Sequence, residues 1–120
     1  MELDRITEGI IGCGIRVSNA LGVGFLERVY ENALSIEMRK LGLDVIQQAQ
    51  LSVYYDGVEV GRYSADFVVA NQVIVELKVA KLIDPAHEAQ LLNYLRASGL
   101  KTGLLLNFGT PRMGVRRMHL

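Results

Sequence analysis

The chain has no tryptophan, two prolines and one cysteine among its 120 residues. A lone Cys13 forms no internal disulfide, which excludes a disulfide-stapled scaffold and fits a reducing, cytoplasmic setting. One cysteine and two histidines supply no Cys/His cluster, which argues against zinc. Apolar runs fall well short of the ~20 residues that cross a bilayer. The opening MELDRITEG is polar and acidic, without the basic and then apolar regions of a signal peptide. The expectation is a protein without a membrane segment. Net charge is zero, so there is no overall basic excess to point to nucleic acid by itself. Aromatic residues are 7% of the chain, and its five tyrosines are scattered along the sequence without marking a base-stacking platform.

Half of the residues are hydrophobic and 22% are charged, as in a folded globular domain rather than a disordered chain. The length suits one core, so residues 1–120 are read as a single domain without linker or internal repeat. The charge is unevenly spread. Residues 1–60 carry five Lys/Arg against nine Asp/Glu, and residues 61–120 carry eight against four.

Leu3, Ile6, Ile10, Cys13, Val17 and Leu21 recur at helical spacing and predict an amphipathic helix over 3–21, with Cys13 in the core. Gly22-Val23-Gly24 interrupts it, and a second helix is expected over 25–41, stopped by Gly42. The glycine-rich stretch up to Gly24 lacks the Gly-Lys-Ser/Thr ending of a phosphate loop and follows no strand. Val45–Tyr55 and Val58–Val69 read as strands joined by Asp56-Gly57, a two-residue hairpin signal. Asp84 as N-cap and Pro85 at the first helical position open a third helix, which runs to Ser98 before Gly99. Thr102–Phe108 is apolar on both faces, as expected of a strand buried between layers, and Gly114–Leu120 is expected as a short edge strand. Strand, helix, strand in that order favours a right-handed parallel crossover. The fold class is α/β (α+β): a mixed sheet of four or five strands flanked by helices, in the order αα-βββ-α-β(β).

The chemistry gathers between Tyr63 and Lys81. Val73, Val75, Leu77 and Val79 alternate with Ile74, Glu76, Lys78 and Ala80, so Glu76 and Lys78 share a face. A turn centred on Asn71 puts Asp66 directly opposite Glu76 with Cβ atoms roughly 4.5–5.5 Å apart. Two carboxylates so close repel, and burial raises the pKa of one unless a cation lies between them. Spacing alone leaves open a solvated face that Lys78 neutralises.

An acidic residue followed by Glu-x-Lys on a neighbouring strand is the core of the PD-(D/E)XK nuclease arrangement. The sequence resembles that superfamily and, within it, the small GxxExxY family, whose motif stands here as Gly24-Phe25-Leu26-Glu27-Arg28-Val29-Tyr30. The resemblance runs from the first helix to Phe108. Gln90 and Tyr94, four apart in HEAQLLNYL, resemble the Gln-x-x-x-Tyr signature of RecB-type nucleases. Two positions depart from pattern: Ala65 replaces the proline before Asp66, and Ser18 stands where many GxxExxY members carry histidine.

The resemblance implies a divalent-metal-dependent nuclease using Mg²⁺ or Mn²⁺. Asp66 and Glu76 would be metal ligands, joined by Glu27 and the Leu77 carbonyl, and Lys78 would position the attacking water. Gln90 would support the lysine or that water, and Tyr94 would contact phosphate. Tyr30, sharing a helical face with Glu27, is expected at the substrate. His87 could face the site one turn before Gln90, although a first-turn histidine is commonly just exposed. Arg116 and Arg117, in a basic tail with Arg112 and His119, could steer a phosphate backbone or form a solvated surface. The implied partner is nucleic acid, DNA ahead of RNA, and two copies could build a substrate channel. A catalytically silent module on the same fold, binding nucleic acid, a nucleotide or a protein, is the alternative, because a fold does not fix a function.

Overall fold

A computed structural model describes residues 2–120. Among these, the order is α1 (Leu3–Leu21), α2 (Glu27–Lys40), β1 (Val45–Tyr55), β2 (Val58–Val69), β3 (Val73–Lys78), α3 (Pro85–Ser98), β4 (Thr102–Asn107) and β5 (Gly114–His119). The five strands form one sheet in the spatial order β1-β2-β3-β4-β5. Only β3 and β4 run parallel, with α3 as their crossover, and the other neighbours are antiparallel. The α+β architecture and its element order are those expected. The second helix starts two residues later than the apolar pattern suggested, because Gly24 at φ +112° and extended Leu26 hold the chain out of helical geometry.

The sheet separates two cores. Ile6, Ile10, Cys13 and Val17 of α1 and Tyr30, Leu34 and Met38 of α2 pack on Phe67, Val75, Leu77, Leu104 and Leu106. On the other face, Leu91, Tyr94 and Leu95 of α3 pack on Ala49, Leu51, Val68, Ile74 and Leu105. This division follows from strand alternation, successive residues of β3 and β4 pointing into opposite layers. Both strands are apolar on both sides because both sides are covered. No helix of the described residues is long and apolar enough to cross a membrane.

Two turns set the registers that matter. Asp56 and Gly57 both take positive φ, 54° and 79°, as a two-residue turn of mirror-image type requires. In the β2–β3 turn Ala70 and Asn71 are left-handed as well, and Gln72 N donates to Val69 O at 3.0 Å. Val69 then pairs Val73 and Phe67 pairs Val75, so Asn71 is the centre of the hairpin. The β2–β3 ladder stops at Phe67↔Val75, while β1 and β2 stay paired out to Tyr55↔Val58. The β1–β2 hairpin therefore extends past the end of β3 as an arm.

Candidate active site

The site begins where that ladder ends. Continuing the register one step places Asp66 opposite Glu76, and there side chains replace backbone partners. Asp66 N donates to Glu76 Oε2 at 2.7 Å, and Leu77 N donates to Asp66 Oδ2 at 2.8 Å. Each carboxylate is thus anchored by the other strand's backbone, which fixes both with little rotamer freedom. Glu76 is buried, 4% exposed, and Asp66 is half-buried. Desolvation, then the charge of Asp66, push the Glu76 carboxyl up to about 9, against the pull of Lys78. At neutral pH and without a cation, the pair holds a proton.

Four further side chains frame the pair. Lys78 ends β3, and its Nζ donates to Gln90 Oε1 of α3 at 3.5 Å. Tyr94, one turn on from Gln90, is 7% exposed. Burial raises the pKa of its phenol, and the charges of Glu76, Asp66 and Tyr63 add to the shift. Glu27, in the first turn of α2, lies at the exposed rim. Partial burial raises the pKa of its carboxyl, Asp66 raises it further, and Lys78 opposes both. The Asp66–Glu76 pair and the Lys78–Gln90 contact therefore adjoin along β3, with Tyr94 and Glu27 near enough to feel their charges.

Gln48, Glu31 and Asn107 are additions that the sequence pattern did not single out. Gln48 interrupts β1 opposite Asp66 with φ +53°, between the pairs Gln47↔Phe67 and Ala49↔Ala65. Its Nε2 lies 3.3 Å from Asp66 Oδ1 and 2.9 Å from Oε2 of Glu31, a buried carboxylate that also accepts from Gln47 at 2.7 Å. Arg28 pairs with Glu31 at 3.4 Å. Glu31 follows Glu27 by one helical turn, a spacing that could have flagged it. Nothing local marks Gln48, whose position depends on an irregularity in a strand. Asn107, paired with Lys78 across β3–β4, accepts from Ala80 N and Gly109 N at 3.0 Å each and donates to Ala80 O at 2.9 Å, so it fastens the segment just after Lys78.

Four expected substrate contacts are elsewhere. Tyr30 is fully buried, with its hydroxyl donating to Gly22 O at 2.6 Å and its ring stacked on Phe108 at 4.9 Å. It closes the α1–α2 loop and lies in the core instead of beside Glu27 at the rim, because a residue three on from Glu27 is 300° around the helix and here turns inward. His87 Nδ1 accepts from Asp84 N at 3.1 Å within the N-terminal cap of α3, so its ring serves the helix end. Arg116 and Arg117 are split by strand alternation. Arg116 meets Glu88 of α3 at 3.8 Å, whereas Arg117 binds Asp4 and Thr7 of α1 at 3.4 and 3.2 Å on the opposite face. They form no joint phosphate patch.

The acid pair suits a small hard cation. Its donors are carboxylate oxygens, the burial and the Asp66 charge that raise the Glu76 carboxyl would both be offset by a cation, and Glu27 stands at the rim with a third carboxylate. Among the described residues no three His, Cys, Asp or Glu side chains stand close enough together to form a ready-made metal cage.

Comparisons with known proteins agree with this fold. A solved structure named SSO0001 superposes with a TM-score of 0.61 at 16% identity, covering 78% of this chain and 50% of the other, a likeness of fold. The chain thus spans half the length of that protein. No curated protein matches by sequence. The family model for the PD-(D/E)XK nuclease superfamily matches residues 4–118, nearly the whole chain. By that match over nearly its whole length, the chain belongs to the PD-(D/E)XK nuclease superfamily.

Proposed function

We propose that the protein is a divalent-metal-dependent nuclease that hydrolyses phosphodiester bonds, DNA ahead of RNA, with the finer affinity to the GxxExxY family carried by Gly24, Glu27 and Tyr30. The observation that carries this reading is the Asp66–Glu76 pair, in which buried Glu76 has its carboxyl raised to about 9, beside a lysine that donates to Gln90 at 3.5 Å. Clustered groups with such opposed environments are a signature of functional sites.

Asp66 and Glu76, with Glu27 and the Leu77 carbonyl, would hold Mg²⁺ or Mn²⁺. When bound, such an ion supplies Lewis acidity at a phosphoryl oxygen and acidifies water. The chain's own groups do the rest. Lys78 Nζ orients the attacking water, and its charge offsets the negative charge that builds on the phosphate oxygens. Gln90 restricts that ammonium to one direction, and Tyr94 offers its hydroxyl to phosphate from the same helix face. Water adds its oxygen to phosphorus, the ester oxygen leaves with the electron pair of the broken P–O bond, and the proton passes through solvent. No enzyme nucleophile is needed.

A Mg²⁺ and Mn²⁺ titration on labelled DNA and RNA is the test. Metal-dependent cutting should fall at least ~100-fold in Asp66→Asn, Glu76→Gln and Lys78→Ala, the scale on which removing preorganised charge acts. Cutting that persists in Lys78→Ala refutes the assignment.

A further inference from the structure

The open arm of the β1–β2 hairpin and the outer face of α3 enclose a groove of about 900 Å³. Its walls bring together tyrosines far apart in sequence. Tyr54 and Tyr63 come from the arm and Tyr94 from α3, joined by Gln90, Asn93 and Arg96. Tyr63 and Tyr94 lie with ring centroids 5.7 Å apart, tilted by 44°. Tyr54 and Tyr63 are 66% and 50% exposed, so large ring faces are open to solvent. Arg96 donates to Asn93 Oδ1 at 2.9 Å and, being exposed, keeps further N–H groups for an anion. The groove lies next to the site, since its wall includes Gln90, which accepts from Lys78 Nζ at 3.5 Å, and Tyr94 of the same helix.

We infer that this groove seats an unpaired strand of nucleic acid: bases stack on Tyr54 and Tyr63, while Arg96 and Asn93 take the backbone that leads to Lys78. The inference rests on the nuclease reading of the adjoining site and names its substrate class as single-stranded ends or flaps rather than continuous duplex. Aromatic faces recognise bases only when these are unstacked, since a paired base presents its edge to a groove and not its face. A volume in the range of pockets for small ligands accommodates a few splayed bases. Stacking also accounts for the lack of overall positive charge, because the rings supply affinity that a basic surface would otherwise have to provide.

Fluorescence anisotropy in EDTA, where no cutting occurs, tests this with a labelled oligo-dT strand and a blunt duplex of equal length. Wild type should bind the strand at least ~10-fold tighter than the duplex. Tyr63→Ala and Tyr54→Ala should each weaken strand binding by roughly 5- to 100-fold, and Tyr63→Phe should restore it, because the ring rather than the hydroxyl stacks. Both side chains are half or more exposed, so an unchanged melting temperature serves as the folding control. Equal affinity for strand and duplex, no strand binding, or strand binding unchanged in both alanine variants overturns the inference. So does a change from dimer to monomer in Tyr54→Ala by sedimentation, which would give the groove to a second copy. The two readings fail separately: strand binding lost with the tyrosines but no metal-dependent cutting sinks only the nuclease. Duplex cutting that ignores Tyr54 and Tyr63 sinks only the groove.

Discussion

The side-chain amide of Gln48 stands 3.3 Å from Asp66 Oδ1 while the same nitrogen lies 2.9 Å from Glu31 Oε2. A left-handed backbone at a non-glycine residue costs about 1 kcal/mol or more, and such strain persists where surroundings hold it. Here it aims Gln48 between a buried helix carboxylate and the acid of the site. Gln48→Gly accepts the φ of +53° without strain but deletes the bridge. Its expected result is cutting slowed about tenfold through kcat, one hydrogen bond's worth, with melting temperature held within a few degrees. Steady-state kinetics beside thermal melts check it, and unchanged kcat would show the bridge to be idle.

The proton on the acid pair makes a pH signature. Glu76 titrates near 9 in the fold and near the ordinary 4.5 in the unfolded chain, so folding takes up a proton between these values. The stabilisation is complete below about 4.5 and is lost as pH rises through 9. Glu27, raised in the same direction, adds to the trend at lower pH. Melts in EDTA should therefore fall by about 5 °C or more from pH 5 to pH 9, and Glu76→Gln should flatten the slope. Added Mn²⁺ should raise the melting temperature more at pH 8 than at pH 6, because metal and proton compete for the same oxygens. A slope of opposite sign in EDTA would contradict the buried, protonated pair.

His87 offers a clean separation of helix cap from site. Its ring accepts the Asp84 amide while Asp84 Oδ1 accepts from Ala86 N at 2.7 Å. His87→Ala should cost about 0.5–1 kcal/mol of stability, as the loss of a cap does, and leave single-turnover cutting within twofold. Denaturant melts paired with the rate decide it; a large kinetic loss at full stability would return His87 to the site.

How far the site was legible follows from which interactions are local. Asp66 opposite Glu76 was readable because a hairpin is a local object: centring its turn on Asn71 fixes the parity of both strands. Strand alternation put Lys78 on the face of Glu76, whereas helical spacing gave Gln90 and Tyr94 only a shared face and their place beside the site came from the resemblance to the Gln-x-x-x-Tyr signature. Tyr30 and Glu27 exposed the limit, since sharing a broad helical face does not tell which edge of that face enters the core. Gln48 was illegible because a left-handed residue inside an unshifted register leaves period-two patterning unchanged. Arg116 and Arg117 were misjudged as a cluster although neighbours on a strand point apart. Tyr54, Tyr63 and Tyr94 meet only through the arm's reach over α3, a contact that no local rule supplies.

Gly109 carries the last prediction. A Cβ built there would collide with the Ala80 carbonyl oxygen and nitrogen, both backbone atoms unable to swing aside. The loop after β4 presses onto the segment after β3 at this point, with Asn107 bonded to both. Gly109→Ala must therefore push Ala80, and with it the end of β3 that carries Lys78, away from Asn107. The expected cost is about 2–3 kcal/mol, the upper range of overpacking, together with a fall in kcat larger than the loss of folded protein explains. Asn107→Ala, which removes the bonds and adds no bulk, should lower kcat in the same direction with a smaller loss of stability. Chemical denaturation and active-fraction-corrected kinetics measure both. A Gly109→Ala protein as stable as wild type would mean that the two segments are not held in contact.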